Sequence, residues 1–293
     1  MTKLITYILI LFTSLSYSQQ IPKQVNIPFT QTPNGHIIIP ATINGVEGSF
    51  IFDTGAGINL LTKKFADKIT DLKETNHFYT GHRATGEEIK SDLWNSKYLE
   101  IGNFKIKNEI FAVYDLEFPL DGLISLTPFK DRQITIDFKN KILSIESEKS
   151  LNELITQKDF EMPLQISNDR EIKIGISTKV TLNDKLSLNV GLDSGAGFDV
   201  YRFNSEYMEL LDIDSTKIHS EFKPSIFKPE EGNSYYYTNL AELTDSSKNV
   251  SVKDFKATFI DGLIYEGIMG INWIGEMITI DIPNKRLIVR NYD

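Results

Sequence analysis

The chain has 293 residues, with 40 acidic against 31 basic side chains, a formal charge of −9 and no cysteine. Such a length can bury one large core or two modest ones. The acidic balance, without a basic cluster interleaved with aromatics, argues against a nucleic-acid partner, and the missing cysteines remove disulfides, lipidated-cysteine anchors and thiol chemistry.

The first residues read as an export signal. Lys3 supplies the positive start, Leu4 to Leu15 is mostly apolar and short for a membrane span, and small residues follow at Ser16 and Ser18. The expectation is a signal peptide over residues 1–18, cleavage before Gln19, and a periplasmic or secreted product with no membrane segment. An uncleaved anchor is the alternative.

After the signal, Ile37 to Ile43 is an extended run, Asn44-Gly45 marks a tight hairpin turn, and Ser49 to Phe52 leads into Asp53-Thr54-Gly55-Ala56-Gly57. Thr62 is placed to cap a short helix with Phe65, Ala66 and Ile69 on one face. Later come Asp121-Gly122-Leu123-Ile124-Ser125 and then Ile134-Thr135-Ile136-Asp137, with Asn140-Lys141 as a further turn. Glu146 to Gln157 is polar, with Leu151, Leu154 and Ile155 at helical spacing, and reads as a connector.

The second half repeats this series in order. Ile172 to Leu182, a turn at Asn183-Asp184, and Leu186 to Leu192 lead into Asp193-Ser194-Gly195-Ala196-Gly197, 140 residues after the first loop (193 − 53). Asn204 is placed to cap a short helix with Tyr207, Leu210 and Leu211 on one face. Glu266-Gly267-Ile268-Met269-Gly270 and Ile278-Thr279-Ile280-Asp281 with Asn284-Lys285 complete the match. A matched series in matched order implies duplication, and a period this long implies two whole lobes rather than a solenoid. Strands at short intervals make each lobe all-β with a few short helices. The expected division is 19–148 for the first lobe, 149–157 for the connector and 158–293 for the second lobe.

These motifs resemble the pepsin and retropepsin superfamily of aspartic peptidases, and the short lobes look like two fused bacterial retropepsin-like units. The resemblance covers roughly Ile21 to Asp293 and implies a bilobal fold of two related β-barrel lobes with the active-site cleft between them. It departs from the family at Ser125, where glycine is usual and where the second half keeps Gly270. A side chain there crowds the neighbouring Asp loop, and the small serine is expected to be accommodated.

The resemblance implies Asp53 and Asp193 as catalytic carboxylates. Two carboxylates held close share one proton, because like charges at short range do not both ionise cheaply; one then serves as base and the other as acid toward a single water. Gly55 and Gly195 let the loops turn tightly, while the Thr54 and Ser194 hydroxyls are expected to tie them together. Phe78 to Gly86 reads as a flap, with Tyr79, Gly81 and Thr85 as candidate substrate contacts, and Pro229 to Asn233 as its counterpart before Tyr235-Tyr236-Tyr237, which is read as sheet cover.

The four histidines, His36, His77, His82 and His219, have no zinc-ligand spacing, and no Gly-x-Ser-x-Gly elbow occurs. No cofactor is therefore expected. The reading is an aspartic endopeptidase acting on peptide or protein substrates as a monomer. The rivals are an inactive relative that binds peptide or glycan in the same cleft, and a processing enzyme with a single protein target.

Overall fold

The computed structural model describes residues 23–169, 172–225 and 230–292. The expected signal peptide and Pro229 lie outside the described residues.

Both hairpins leading to the aspartates form as their sequences dictate. Ile37–Ile43 pairs antiparallel with Val46–Phe52, and Lys173–Leu182 with Leu186–Leu192. Asn44 and Gly45 both take positive φ, at 49° and 88°, and so do Asn183 and Asp184, at 50° and 51°. That is the turn geometry whose twist matches the flanking strands, and Asn, Asp and Gly tolerate it best. Burial alternates along Ile37–Ile43, so one face of the strand meets the core.

Each lobe then folds a short strand back beside its Asp strand. Gly122–Ile124 runs parallel to Val46–Phe52, and Gly267–Met269 runs parallel to Leu186–Leu192. Gly122 is required there, since a methyl on it would lie 2.0 Å from the Leu60 carbonyl oxygen. The phenylalanines Phe50, Phe52, Phe65, Phe111 and Phe129 are fully buried in the first lobe, with Phe203 and Phe259 in the second.

The helix after the first Asp loop spans Lys63–Ala66, with the Thr62 hydroxyl accepting the Phe65 N–H at 3.2 Å. Its counterpart departs from expectation. Asn204 does cap, accepting the Glu206 N–H at 2.9 Å, but two 3₁₀ turns follow, Ser205–Tyr207 and Glu209–Leu211. The three-residue period buries Met208 and Leu211 on one face, leaving Leu210 53% exposed and Tyr207 only half-buried. The polar connector is helical over Glu148–Gln157, closed at its start by reciprocal bonds between Ser147 and Ser150.

The lobes are joined by a six-stranded sheet to which each contributes three strands. Its order is Val25–Pro28, Ile142–Ile145, Gln133–Asp137, Met277–Asp281, Arg286–Arg290 and Phe160–Pro163. The two Ile-Thr-Ile-Asp phrases face each other antiparallel at its centre, with Thr135 opposite Thr279 and their hydroxyls 2.8 Å apart. A pseudo-twofold axis passes through this pair. The molecule is thus an all-β, bilobal, aspartic-protease-like fold.

Candidate active site

The two Asp loops are held alike, each by its own lobe and by the other loop. The Asp53 N–H donates to the Ile124 carbonyl at 2.9 Å and the Asp193 N–H to the Met269 carbonyl at 2.8 Å, so each loop is anchored to its own folded-back strand. Between the loops the side chains cross. Thr54 Oγ1 donates to the Leu192 carbonyl at 2.7 Å and accepts the Ser194 N–H at 3.0 Å. Ser194 Oγ donates to the Phe52 carbonyl at 2.7 Å and accepts the Thr54 N–H at 3.0 Å. Both hydroxyl residues are almost fully buried, so no water competes for these bonds.

This cross-bonding brings the carboxyls together. A methyl on Gly55 would lie 2.3 Å from Asp193 Cγ, and one on Gly195 would lie 2.4 Å from Asp53 Cγ. Each carboxyl therefore sits over the glycine of the opposite loop, in space that any side chain would fill. The aspartates are half-buried as residues.

The two carboxyls differ in their surroundings. Burial pushes both above the ordinary carboxylate range. Asp53 is held back by a hydrogen bond from Asp193 and by the Ala56 and Gly55 N–H groups, both donating to its Oδ1 at 2.9 Å. Asp193 is raised well above the usual range, first by burial and then by the charge of Asp53; among backbone N–H groups only that of Gly195 opposes this. Among the described residues its Oδ1 is buried without a hydrogen-bond partner. With two N–H donors on its Oδ1, Asp53 is the carboxyl whose surroundings better suit a negative charge.

Of the expected flap contacts, Tyr79 and Gly81 line a cavity of about 520 Å³ that also touches His82, Lys173, Ile264 and Tyr265 but is not lined by Asp53 or Asp193. Lys173 lies along the Asp53 loop, its Cγ 2.6 Å from a methyl built on Gly57. The flap is a hairpin of Lys73–His82 and Glu88–Asn95. Thr85 sits at its tip and not in the cavity. Its hydroxyl donates to Glu87 at 2.9 Å, completing a turn that the Arg83–Glu87 ion pair also braces. The tip is latched to the second lobe, since the Ile264 N–H donates to the Ala84 carbonyl at 3.0 Å.

Pro229 of the expected second tip lies outside the described residues, but His219–Pro224 and Gly232–Asp245 do pair as an antiparallel hairpin, with Glu230 and Glu231 in its loop and Gly232 and Asn233 beginning its second strand. Asn233 reaches the first flap, 3.5 Å from the Thr85 carbonyl. Tyr235, Tyr236 and Tyr237 are half-buried on that strand, between His219–Pro224 and Ser251–Ile260.

Ser125 is fully buried. Its N–H donates to Asn59 Oδ1 at 2.8 Å, and its hydroxyl bonds Asn59 Oδ1 at 3.1 Å and Thr127 Oγ1 at 2.9 Å. Asn59, Glu109 and Thr127 carry no motif in the sequence. Only the polar serine in place of glycine hinted that something there would have to receive it.

Residues 39–127 match the sequence model of the family described as aspartyl protease. No curated protein matches the chain in sequence. Among solved structures the chain is similar to conglutin gamma, titled a unique basic 7S globulin from lupine seeds, with a TM-score of 0.54 and 9% identity over 91% of this chain and 94% of that one. The chain has the two-lobed fold of the pepsin-like proteins, and its first lobe carries the aspartyl protease signature.

Proposed function

We propose that the protein is an aspartic endopeptidase in which Asp53 and Asp193 activate a water against a peptide carbonyl. The observation that carries this reading is the unequal environment of two carboxyls held face to face by crossed hydroxyl bonds. Asp53, ionised, takes a proton from the water as its oxygen adds to the carbonyl carbon. Asp193, protonated, gives its proton to the carbonyl oxygen. The tetrahedral diol then collapses: Asp53 returns its proton to the amide nitrogen, Asp193 takes one from a diol hydroxyl, and the C–N bond breaks. Both carboxyls regain their starting states.

The flap and the cleft suit a peptide bound extended, with its backbone paired to strand edges and its side chains in flanking pockets. Because both aspartates come from one chain, a monomer suffices. Export through the signal sequence belongs to the same proposal.

The test is digestion of a diverse peptide mixture from acidic to neutral pH by the parent, Asp53→Asn and Asp193→Asn proteins. Cleavage by the parent that is lost in both variants is the expected result. Cleavage that survives either change would sink the mechanism, and binding of peptides without cleavage by the parent would replace it with a binding protein.

A further inference from the structure

The loops after the two aspartates are anchored by different means. In the second lobe the Gly270 N–H donates directly to the Val200 carbonyl at 2.9 Å. That approach depends on glycine, because a methyl on Gly270 would lie 2.2 Å from the Gly197 carbonyl oxygen. The first lobe has Ser125 at this position, and its Cβ forbids the same approach. The loop backbone differs accordingly: Gly197 has a φ of +92°, whereas Gly57 is not among the positive-φ glycines.

In the first lobe the side chain of Asn59 stands in for that backbone acceptor. Its Oδ1 accepts the Ser125 N–H at 2.8 Å, and its Nδ2 donates to Glu109 Oε1 at 2.7 Å. Glu109 Oε1 also accepts from Thr127 Oγ1 at 3.2 Å, and Thr127 Oγ1 in turn accepts from the Ser125 hydroxyl at 2.9 Å. The ring is closed, and Asn59 and Ser125 are both fully buried. Ser125 follows Ile124, whose carbonyl receives the Asp53 N–H. Asn59 therefore grips the same two-residue segment that fixes the aspartate backbone.

We propose that Asn59, oriented by Glu109, is a positioning residue for Asp53, doing with a side-chain amide what Gly270 and a backbone carbonyl do for Asp193. The proposal rests on the endopeptidase reading for its kinetic consequence but not for its structural one. Buried polar rings of this kind specify a geometry when every member is satisfied, and lose it when one is removed.

The test uses the full-length mature protein with Asn59→Leu, Glu109→Leu and Glu109→Gln. Displacing a reacting group by about 1 Å costs on the order of 100-fold in rate. Asn59→Leu and Glu109→Leu are thus expected to lower kcat by about 10- to 100-fold while KM changes by less than about threefold. Glu109→Gln keeps an oxygen to accept both bonds and is expected to retain most of the parent kcat. A second readout needs no turnover: ¹³C-carboxyl NMR titration of labelled aspartates, in which the parent pair titrates as a coupled pair and Asn59→Leu weakens that coupling. Should the parent cleave nothing, the endopeptidase reading fails while the titration still decides the positioning role. Folded Asn59→Leu or Glu109→Leu protein with parental coupling would overturn the proposal. If Asn59→Leu does not fold, the Glu109 pair decides it by the same titration.

Discussion

Thr54 and Ser194, 140 positions apart, each bond the backbone of the other and the carbonyl two residues before it. Nearly all of this is buried, so removing one hydroxyl strands an N–H and a carbonyl with no water to take its place. Thr54→Ala is expected to cost about 2–3 kcal/mol, since each buried group left unsatisfied costs roughly 1–3 kcal/mol. Thr54→Ser should cost less than about 1 kcal/mol, because the second lobe already performs the task with serine. Urea unfolding of both variants would check this; an equal loss in both would mean that packing of the threonine methyl, and not the hydroxyl, matters.

The loop glycines should separate stability from catalysis. A methyl at position 55 occupies the space of the Asp193 carboxyl. Gly55→Ala is expected to abolish cleavage, by at least about 100-fold, because the two carboxyls no longer meet. Gly45→Ala, whose methyl would make only an ordinary contact with the Tyr98 hydroxyl at 3.8 Å but whose φ is +88°, should cost roughly 1 kcal/mol of stability and no activity. Similar activity losses at both sites would refute the assignment of the carboxyl contact.

Asp193 sets a pH dependence with a definite sign. A carboxyl raised above its unfolded value binds its proton more tightly in the folded state, so folding stability falls as pH rises from the ordinary carboxylate range through the folded value. Asp193→Asn removes that loss. It should stabilise the protein by about 1 kcal/mol at neutral pH, as removing functional charges commonly does, and by much less near pH 4. Thermal melts at both values check it, and a gain that shrinks as pH rises would contradict the protonated state assigned to Asp193. Activity should fall on the acid side as Asp53 gains a proton and on the alkaline side as Asp193 loses one, the second limb lying well above the usual carboxylate range.

Much of this site is legible in the residues themselves. Asn44-Gly45 and Asn183-Asp184 place two hairpins, and the repeated Asp loops place the carboxyls. What joins the lobes is not legible. Gln133 pairs with Asp281 across 148 positions, and the hydrophobic pattern of an isolated strand does not say which distant strand it meets. Nor does Glu109 stand out among 40 acids, because its role depends on Asn59 and Thr127 arriving beside it. The helix expected after Asn204 became 3₁₀ turns because Met208 and Leu211, three apart, are the residues that the second lobe buries.

The flap latch makes a prediction that the lack of cysteine renders simple to test. The Ala84 carbonyl accepts the Ile264 N–H at 3.0 Å, so the backbones of these two positions meet at the latch, and the chain offers no competing thiol to a pair of cysteines introduced there. Oxidised Ala84→Cys with Ile264→Cys should hold the flap down and cut cleavage of folded or long substrates at least tenfold, with recovery on reduction. Unchanged cleavage in the oxidised, crosslinked protein would show that substrate enters without lifting the tip.

Thr135 and Thr279 face each other from strands with the same sequence, Ile-Thr-Ile-Asp, running in opposite directions. A strand that pairs antiparallel with its own copy is self-complementary. Either half expressed alone would therefore expose an edge that fits a second molecule of itself, and would be expected to rebuild the central sheet as a symmetric dimer. The covalent link between the halves makes that pairing intramolecular. It also releases the two copies from identity, so that one could keep its glycine at position 270 while the other took serine at 125 and the amide that goes with it.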